Sequence, residues 1–244
     1  FIAQGWKSSI RKKILLWGYR AILNSKKVWI LFQNPDDQAL FAQHKIIYPE
    51  HAFKIKGSGV DLQQFAYSPI PKDRVKVILV ARMLWDKGVG EFVESATLLT
   101  QQGIDADFIL VGSVDLGNPE SISAKQLEQW NKSGVVKWLG ERADIAQLLA
   151  ESHIAVLPSY REGLPKSLIE AAAVGRAIVT TDVPGCREVV KDGENGFLVP
   201  AKDAKELSIA IQKLINNPKL LTSMGKKSRL MAEQEFSIQQ IVEQ

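Results

Sequence analysis

The fold is decided by one stretch of the chain, which reads Val75-Lys76-Val77-Ile78-Leu79-Val80-Ala81. A short run dominated by Val, Ile and Leu is typical of a strand that is buried on both faces. From Gly88 to about Thr100 the apolar residues recur at helical spacing, which predicts an amphipathic helix. A buried strand followed at once by such a helix predicts the first unit of a parallel α/β sheet.

The same alternation continues toward the end of the chain. Further strands are predicted at 107–112, 135–139, 153–157, 177–181 and 196–199. Helices are predicted at 123–132, 145–151, 167–174, 202–216 and 218–235. Short apolar strands separated by helices predict an α/β fold with a Rossmann-like, doubly wound parallel sheet. Such sheets bind their ligands at the carboxyl ends of the strands.

Residues 1–56 do not follow this alternation. Predicted strands at 28–34 and 52–56 flank a short predicted helix at 36–43, and we expect them to close a preceding α/β domain. The segment 57–61 contains two glycines and is predicted to be an interdomain hinge. Residues 62–244 form the main domain. Because the chain opens on Phe1 without an initiator Met, we expect a longer protein whose first domain is mostly missing here.

Composition excludes several classes of protein. The 244 residues are 45% apolar and 24% charged, which excludes a disordered chain, a collagen and a small disulfide-stapled fold. A single cysteine and three scattered histidines exclude a Cys-based cluster and a His-rich metal site. The sequence contains no run of about 18 apolar residues, so no membrane span is predicted.

The charge is concentrated at the start of the chain. Residues 1–56 hold ten Lys and Arg against three Asp and Glu, which gives +7, whereas the whole chain carries only +4. Within 6–29, cations alternate with Trp and Tyr, and apolar residues recur at near-helical spacing from Ile10 to Leu23. We expect this segment to dock on an anionic membrane surface. A core helix of the missing domain with a solvated basic face is the alternative. Nucleic acid is disfavoured as a partner because no recognised binding motif is present.

The first candidate site follows the strand at 75–81. Arg82 and Lys87 lie in the loop after this strand, and a helix begins near Gly88. Two cations beside a helix N-terminus predict a site for a phosphate or diphosphate. Two solvated loop charges remain the alternative. Neither a P-loop nor a Gly-x-Gly-x-x-Gly follows a strand, which disfavours a P-loop nucleotidase and a dinucleotide oxidoreductase.

The second candidate site follows the strand at 153–157. Glu162 precedes a predicted helix, Gly163 lets a ligand approach the backbone, and Glu170 lies within the helix. One carboxylate accepts hydrogen bonds from two vicinal hydroxyls. Two carboxylates on either side of free helix amides therefore suit a ligand with hydroxyl pairs at both ends and phosphates in the middle, and a nucleotide sugar has this layout. An ordinary helix with an exposed Glu at each end is the alternative. A third loop, with Arg187 and Glu188 after Pro184-Gly185, is predicted either to face the ligand or to be a surface turn.

A resemblance to a known family rests on four motifs that occur in order. They are Arg82-x4-Lys87-Gly88, Glu162-x7-Glu170 with Gly163-Leu164-Pro165 inside it, Thr181-Asp182-x-Pro184-Gly185, and Asn195-Gly196-Phe197-Leu198-Val199. This set resembles glycosyltransferase family 4, whose members are retaining enzymes of the GT-B fold that need no metal.

The resemblance implies a role for each motif residue. Arg82 and Lys87 bind the donor diphosphate and, with Glu162, act in catalysis. Glu170 binds the ribose hydroxyls, and Glu162, Gly163 and Leu164 bind the donor sugar. Residues 62–244 are then the nucleotide-sugar donor domain, and 1–56 the end of the acceptor domain.

The run from Tyr160 to Ala173 is similar to a narrower group of bacterial enzymes. These transfer a hexose or N-acetylhexosamine to a lipid-linked precursor of an envelope polysaccharide or glycan. The resemblance implies a UDP-linked donor, with GDP as the alternative, no cofactor, and a cytoplasmic protein at the inner face of the cytoplasmic membrane. We expect this chain to bind donor and to be inactive alone. Another GT-B enzyme, such as a sugar-nucleotide epimerase or glycan phosphorylase, and a donor-binding module without transfer remain alternatives.

Overall fold

The structure is a computed structural model that describes residues 6–242 and, in its first helix, the side chains from Lys13 onward. The chain divides into two compact units, Phe1–Lys56 and Gly57–Gln244. Within the described residues, no helix is both long enough and apolar enough to cross a membrane.

The smaller unit is a helix followed by a βαβ arrangement. Its elements are α1 (Trp6–Leu23), β1 (Ile30–Phe32), α2 (Pro35–Gln43), a 3₁₀ turn (Pro49–His51) and β2 (Ala52–Lys54). β1 and β2 pair in parallel, as expected for strands joined across a helix. Asn34 caps α2 because its side chain accepts a hydrogen bond from the backbone N–H of Asp37 at 2.8 Å. The strands are shorter than predicted because only three residue pairs form the ladder.

The larger unit contains a parallel sheet of six strands. The strands are β3 (Val75–Val80), β4 (Ala106–Val111), β5 (Lys137–Trp138), β6 (Ile154–Leu157), β7 (Ala177–Thr181) and β8 (Gly196–Val199). The helices are α3 (Val89–Gln101), α4 (Ala124–Ser133), α5 (Ile145–Ala150), α6 (Lys166–Val174), α7 (Cys186–Val189), α8 (Ala204–Ile215), α9 (Pro218–Met231) and α10 (Ile238–Val242). The strand order is β5-β4-β3-β6-β7-β8, with every pair parallel, which confirms the predicted α/β fold.

Both faces of the sheet are covered by helices. Along β3, Val77 and Leu79 belong to one apolar core and Ile78 to the other, because successive side chains point to opposite faces. The first core includes residues of α3, α4 and α8, and the second includes residues of α5, α6 and α7. All five residues of β7 are buried. Burial on both faces explains why these strands are continuous apolar runs in the sequence.

The end of the chain differs from the predicted pattern. The helix predicted to reach residue 235 ends at Met231, and a π-helical turn over Ala232–Phe236 and the short α10 follow. The carbonyl of Phe236 accepts the backbone N–H of Val60 at 2.8 Å. This pairing with a distant segment takes the chain out of the helix, and no local pattern signals it. The predicted turn after Gly185 likewise contains the four-residue α7.

Candidate functional site

The candidate site lies where the order of the strands reverses. From β3 the chain adds β4 and β5 on one side, and it then returns to add β6, β7 and β8 on the other. β3 and β6 are neighbours whose following loops therefore lead away to opposite sides of the sheet. In open parallel sheets, ligands bind in the crevice at the carboxyl ends of such strands. The loops in question contain Arg82 and Lys87, after β3, and Glu162, after β6.

Backbone contacts hold these two loops against each other. The backbone N–H of Tyr160 donates to the carbonyl of Asp86 at 2.8 Å, and the Ser159 hydroxyl donates to the same carbonyl at 3.1 Å. Gly88 has a φ of 72°, and a Cβ at this position would lie 2.1 Å from the carbonyl oxygen of Pro158. Because only glycine allows this approach, the spacing of the two loops depends on Gly88.

One ion pair bridges the crevice. Nζ of Lys87 lies 2.6 Å from Oε1 of Glu162, and the two side chains are only 19% and 12% exposed. Charges that are this poorly hydrated interact more strongly than charges on an open surface. The fold thus brings together a cation and a carboxylate that lie 75 residues apart in the sequence.

A second cation lies beside the same crevice. Nη1 of Arg82 is 2.6 Å from Oδ2 of Asp115, which lies in the loop after β4. The crevice is a cavity of about 290 Å³, close to the lower end of the range for small-molecule sites. It is lined by Val80, Ala81, Arg82, Lys87, Leu157, Glu162, Pro165, Lys166 and Ser167. Three of the predicted site residues therefore share one cavity.

Helix α6 begins at this cavity. Lys166 and Ser167 of its first turn line the cavity, and no side chain caps the helix. The first N–H groups of a helix have no partner within it and form the positive end of its dipole. Pro165 occupies the N-cap. The start of α6 therefore favours an anion.

The other predicted residues lie beside the cavity rather than in its lining. Glu170 is largely buried on α6, and its burial raises the pKa of the carboxyl, an effect that Lys166 opposes from 3.7 Å. Hydroxyl donors would favour the charged form of this carboxyl. Gly163 and Leu164 connect Glu162 to the start of α6.

The third predicted loop supports the second. Gly185 has a φ of 81°, and a Cβ there would lie 2.6 Å from the carbonyl oxygens of both Glu162 and Gly163. The backbone N–H of Glu162 donates to the carbonyl of Pro184 at 3.3 Å. Arg187 forms an ion pair with Asp182 in its own loop. This loop therefore positions Glu162 and is absent from the cavity lining.

The contacts of Tyr160 are not indicated by the sequence. Its hydroxyl donates to Oε1 of Glu91 at 2.6 Å, and Nζ of Lys202 lies 4.6 Å from its ring centroid. Burial, together with the hydrogen bond to Glu91, raises the pKa of Tyr160. Tyr160 thereby ties the loop after β6 to α3 and to the segment before α8. The only available signal was that Tyr160 lies two residues before Glu162, since Glu91 is 69 residues away.

A larger cavity, of about 630 Å³, lies at the amino edge of the sheet. Arg74, Lys76, Asp107 and Lys137 are among the residues that line it. Helices of a parallel α/β sheet end at this edge, so the negative ends of their dipoles disfavour an anion there. We therefore place the candidate site at the smaller cavity. The described residues contain no group of three or more His, Cys, Asp or Glu that could hold a metal ion.

Comparison with known proteins gives related sequences and folds. A relative from Campylobacter jejuni, N,N'-diacetylbacillosaminyl-diphospho-undecaprenol alpha-1,3-N-acetylgalactosaminyltransferase, is 34% identical over 241 residues, which cover 93% of this chain and 61% of the relative. The capsular polysaccharide biosynthesis glycosyltransferase CapM of Staphylococcus aureus is 29% identical over 178 residues, which cover 73% of this chain and 46% of CapM. The chain thus spans about half to three fifths of the length of these relatives.

Among solved structures, Anabaena HepE in complex with UDP and glucose matches 88% of this chain and 62% of its own, with a TM-score of 0.75 and 25% identity. Sucrose-phosphate synthase from Thermosynechococcus elongatus matches 94% of this chain and 59% of its own, with a TM-score of 0.80 and 24% identity. The second match shows the fold alone. Residues 61–231 match the family described as Glycosyl transferases group 1. This match covers most of the larger unit and both loops of the crevice, and the chain belongs to that family.

Proposed function

We propose that this chain is the donor-binding part of a glycosyltransferase that transfers a hexose or N-acetylhexosamine from a nucleotide sugar. The acceptor is a lipid-linked or saccharide precursor of a cell-envelope polysaccharide or glycan. The observation on which the proposal rests is the Lys87–Glu162 ion pair in the crevice, with Arg82 and the start of α6 around the same cavity. Cations, free helix amides and a carboxylate around one small cavity suit a diphosphate joined to a sugar.

The nucleotide is UDP in this proposal, and the donor lies along the carboxyl edge of the sheet. Its diphosphate lies between Arg82, Lys87 and the start of α6. Glu170 accepts hydrogen bonds from the ribose hydroxyls, because a carboxylate has two accepting oxygens. Glu162, Gly163 and Leu164 contact the donor sugar. The complex of the related HepE with UDP and glucose supports the choice of nucleotide.

Transfer proceeds with retention of the anomeric configuration. The bond between the anomeric carbon and the diphosphate oxygen breaks, and the negative charge that develops on the departing nucleoside diphosphate is stabilised by Arg82 and Lys87. The acceptor hydroxyl attacks from the same face, forms the new glycosidic bond and gives its proton to the departing diphosphate oxygen. Because the two cations take the electrostatic role of a divalent ion, we expect a chelator to leave the rate of transfer unchanged.

A lipid-linked acceptor is supported by the name of the Campylobacter jejuni relative, which contains diphospho-undecaprenol. In this proposal residues 1–56 are the end of the acceptor domain and 57–61 are the hinge. Residues 6–29 dock on an anionic membrane surface: on α1, Ile14, Trp17 and Ile22 are more than half exposed, and Lys13 and Arg20 lie beside them in the sequence. The side chains of residues 6–12, which include the expected membrane contacts Trp6, Lys7, Arg11 and Lys12, lie outside the described residues.

The membrane proposal is tested by sedimentation with vesicles. We expect binding to anionic but not to neutral phospholipid, and the exchange of Lys13 and Arg20 for Glu to weaken it. The same exchange at Lys219 and Lys226 of α9 is the control and leaves binding unchanged. Equal effects of the two pairs would contradict docking through α1.

The donor proposal is tested by calorimetric titration of this chain with UDP, GDP and their sugars. We expect saturable binding of UDP that Lys87→Ala and Arg82→Ala weaken. Arg74→Ala is the matched control, because Arg74 is a similarly exposed, ion-paired arginine just before the amino end of β3, whereas Arg82 lies just after its carboxyl end. In the full-length protein, Lys87→Ala should slow transfer by about 10²–10³-fold, as the loss of a positioned charge partner does. Unchanged turnover would refute the assignment of Lys87.

A further inference from the structure

Asp115 is the acidic partner of Arg82, and no motif of the sequence points to it. Oδ2 of Asp115 lies 2.6 Å from Nη1 of Arg82, although the two residues are 33 positions apart. The contact arises because β3 and β4 are adjacent parallel strands, so the loops that follow them leave the same edge of the sheet. Asp115 is less exposed than Arg82, with 29% against 59% of the side chain accessible.

The loop with Asp115 is joined by its backbone to the loop with Arg82. The N–H of Trp85 donates to the carbonyl of Glu120 at 2.8 Å, and the N–H of Ile122 donates to the carbonyl of Met83 at 2.9 Å. Leu84 and Ser121 form an antiparallel bridge between these bonds. The two loops therefore form one hydrogen-bonded unit.

The position of Asp115 within its loop is also fixed. Its backbone N–H donates to the Ser121 hydroxyl at 3.2 Å, and its carbonyl accepts the N–H of Asn118 at 3.0 Å. Because the backbone of Asp115 is held in this way, its carboxylate binds the guanidinium of Arg82 from a defined position.

Asp115 lies outside the cavity that Arg82 lines. The lining contains Arg82, Lys87 and Glu162 but not Asp115. Asp115 accepts a hydrogen bond from one nitrogen of the guanidinium, Nη1. Because a guanidinium has five N–H donors, others remain that can bind a phosphate. A carboxylate that competed with the phosphate would lie inside the cavity, as Glu162 does.

We propose that Asp115 is a positioning residue that holds the guanidinium of Arg82 at the wall of the cavity for the donor diphosphate. This inference rests on the proposed function, which assigns Arg82 to that diphosphate. An arginine in solution samples many rotamers, and part of that freedom is lost when it binds a phosphate. Asp115 restricts Arg82 before the donor arrives, and so strengthens donor binding without contacting the donor.

The test is a double-mutant cycle on the affinity for UDP, measured by calorimetry. We expect Asp115→Ala to weaken binding by about 3- to 30-fold, which lies within the range of coupling between residues in contact. In an Arg82→Ala background the same change should have no further effect. Asp107→Ala is the matched control, because it removes the carboxylate 3.0 Å from Arg74 at the opposite end of β3, and it should leave UDP affinity unchanged. Asp115→Asn, which keeps an accepting oxygen, should lose less and serves if the alanine variant does not fold.

Four outcomes would overturn the inference. Tighter UDP binding by Asp115→Ala would make Asp115 a competitor of the phosphate. Additive losses in the double variant would mean that Asp115 does not act through Arg82. An equal loss in Asp107→Ala would indicate a general effect of removing an ion pair. A wild-type chain that binds neither UDP nor GDP would overturn the proposed function as well, which separates the two failures.

Discussion

At the scale of the residue, Glu162 forms an ion pair with Lys87, the lysine that we propose to bind the donor diphosphate. Its carboxylate lies 2.6 Å from Nζ of Lys87, and both side chains are largely buried. A diphosphate that reaches Lys87 must either displace this carboxylate or lie close to it. Glu162 therefore opposes the binding of the phosphate, although we propose that it contacts the sugar.

This opposition predicts separate effects on binding and transfer. Glu162→Gln removes the repulsion, so UDP affinity should stay the same or rise by a few fold. Transfer of the sugar by the full-length protein should fall sharply. Calorimetry with UDP and a turnover assay measure the two effects, and Glu194→Gln on an exposed turn is the control. Weaker UDP binding in Glu162→Gln would mean that Glu162 itself holds the nucleotide.

At the scale of the element, helix α6 is held at the end opposite the cavity. Arg176 is fully buried, and its guanidinium donates to the carbonyls of Ser152 at 2.7 Å and Val174 at 3.1 Å. Arg229 donates to the carbonyl of Ala173 at 2.7 Å. Two cations thus satisfy carbonyls at the C-terminus of α6, where the helix dipole favours positive charge.

Replacing Arg176 should therefore destabilise the larger unit. We expect Arg176→Met to lower the free energy of unfolding by about 2 to 4 kcal/mol, because several buried carbonyls lose their donors at once. Urea denaturation measures the change. Arg142→Met removes an arginine whose ion pair with Asp144 is partly exposed, and it should cost about 1 kcal/mol or less. Equal losses in the two variants would contradict the capping of α6.

The loop after β7 offers a second test at this scale. Gly185 and Gly103 both have a φ close to 80°, but a Cβ at Gly185 would meet the carbonyls of Glu162 and Gly163 at 2.6 Å, whereas none lies within 4 Å at Gly103. Gly103→Ala should cost about 1 to 2 kcal/mol of stability for the backbone alone. Gly185→Ala should cost more and, by displacing Glu162, should also slow transfer of the sugar by the full-length protein. Unchanged transfer in Gly185→Ala would mean that the loop does not position Glu162.

At the scale of the whole molecule, the residues of the candidate site belong to one of the two compact units. The cavity lining, the six-stranded sheet and both of its apolar cores lie within Gly57–Gln244. The smaller unit has its own core of Phe32, Ile46 and Ile47. The basic excess of residues 1–56 therefore lies outside the unit with the site.

This division predicts that a fragment of residues 57–244 folds by itself. We expect one cooperative thermal transition, because both cores are complete in the fragment. UDP affinity should remain within about twofold of the intact chain, a difference below 0.5 kcal/mol, because all the residues that line the cavity lie within the fragment. Circular dichroism and calorimetry measure the two properties. A fragment that folds but loses UDP binding would show that residues 1–56 contribute to the donor site.

Much of the fold follows from local patterns. The strands predicted at 177–181 and 196–199 have the predicted bounds. The strand predicted at 75–81 ends one residue earlier, and the strand predicted at 107–112 begins and ends one residue earlier. Apolar runs and helical spacing are properties of neighbouring residues, so they can be read without the fold. The π-helical turn after Met231 could not be predicted, because it depends on pairing between Phe236 and Val60.

The candidate site divides in the same way. Arg82, Lys87 and Glu162 could be identified from the chain alone, because loops after buried parallel strands gather at one edge of the sheet. The partners of these side chains could not be identified from the chain alone. Lys87 contacts Glu162 because β3 and β6 are neighbouring strands, and Arg82 contacts Asp115 because β3 and β4 are neighbouring strands. The kinds of residue and the edge at which they gather are local information. Which charge faces which is set by the order of the strands, and that order arises only when the two apolar cores pack on the sheet.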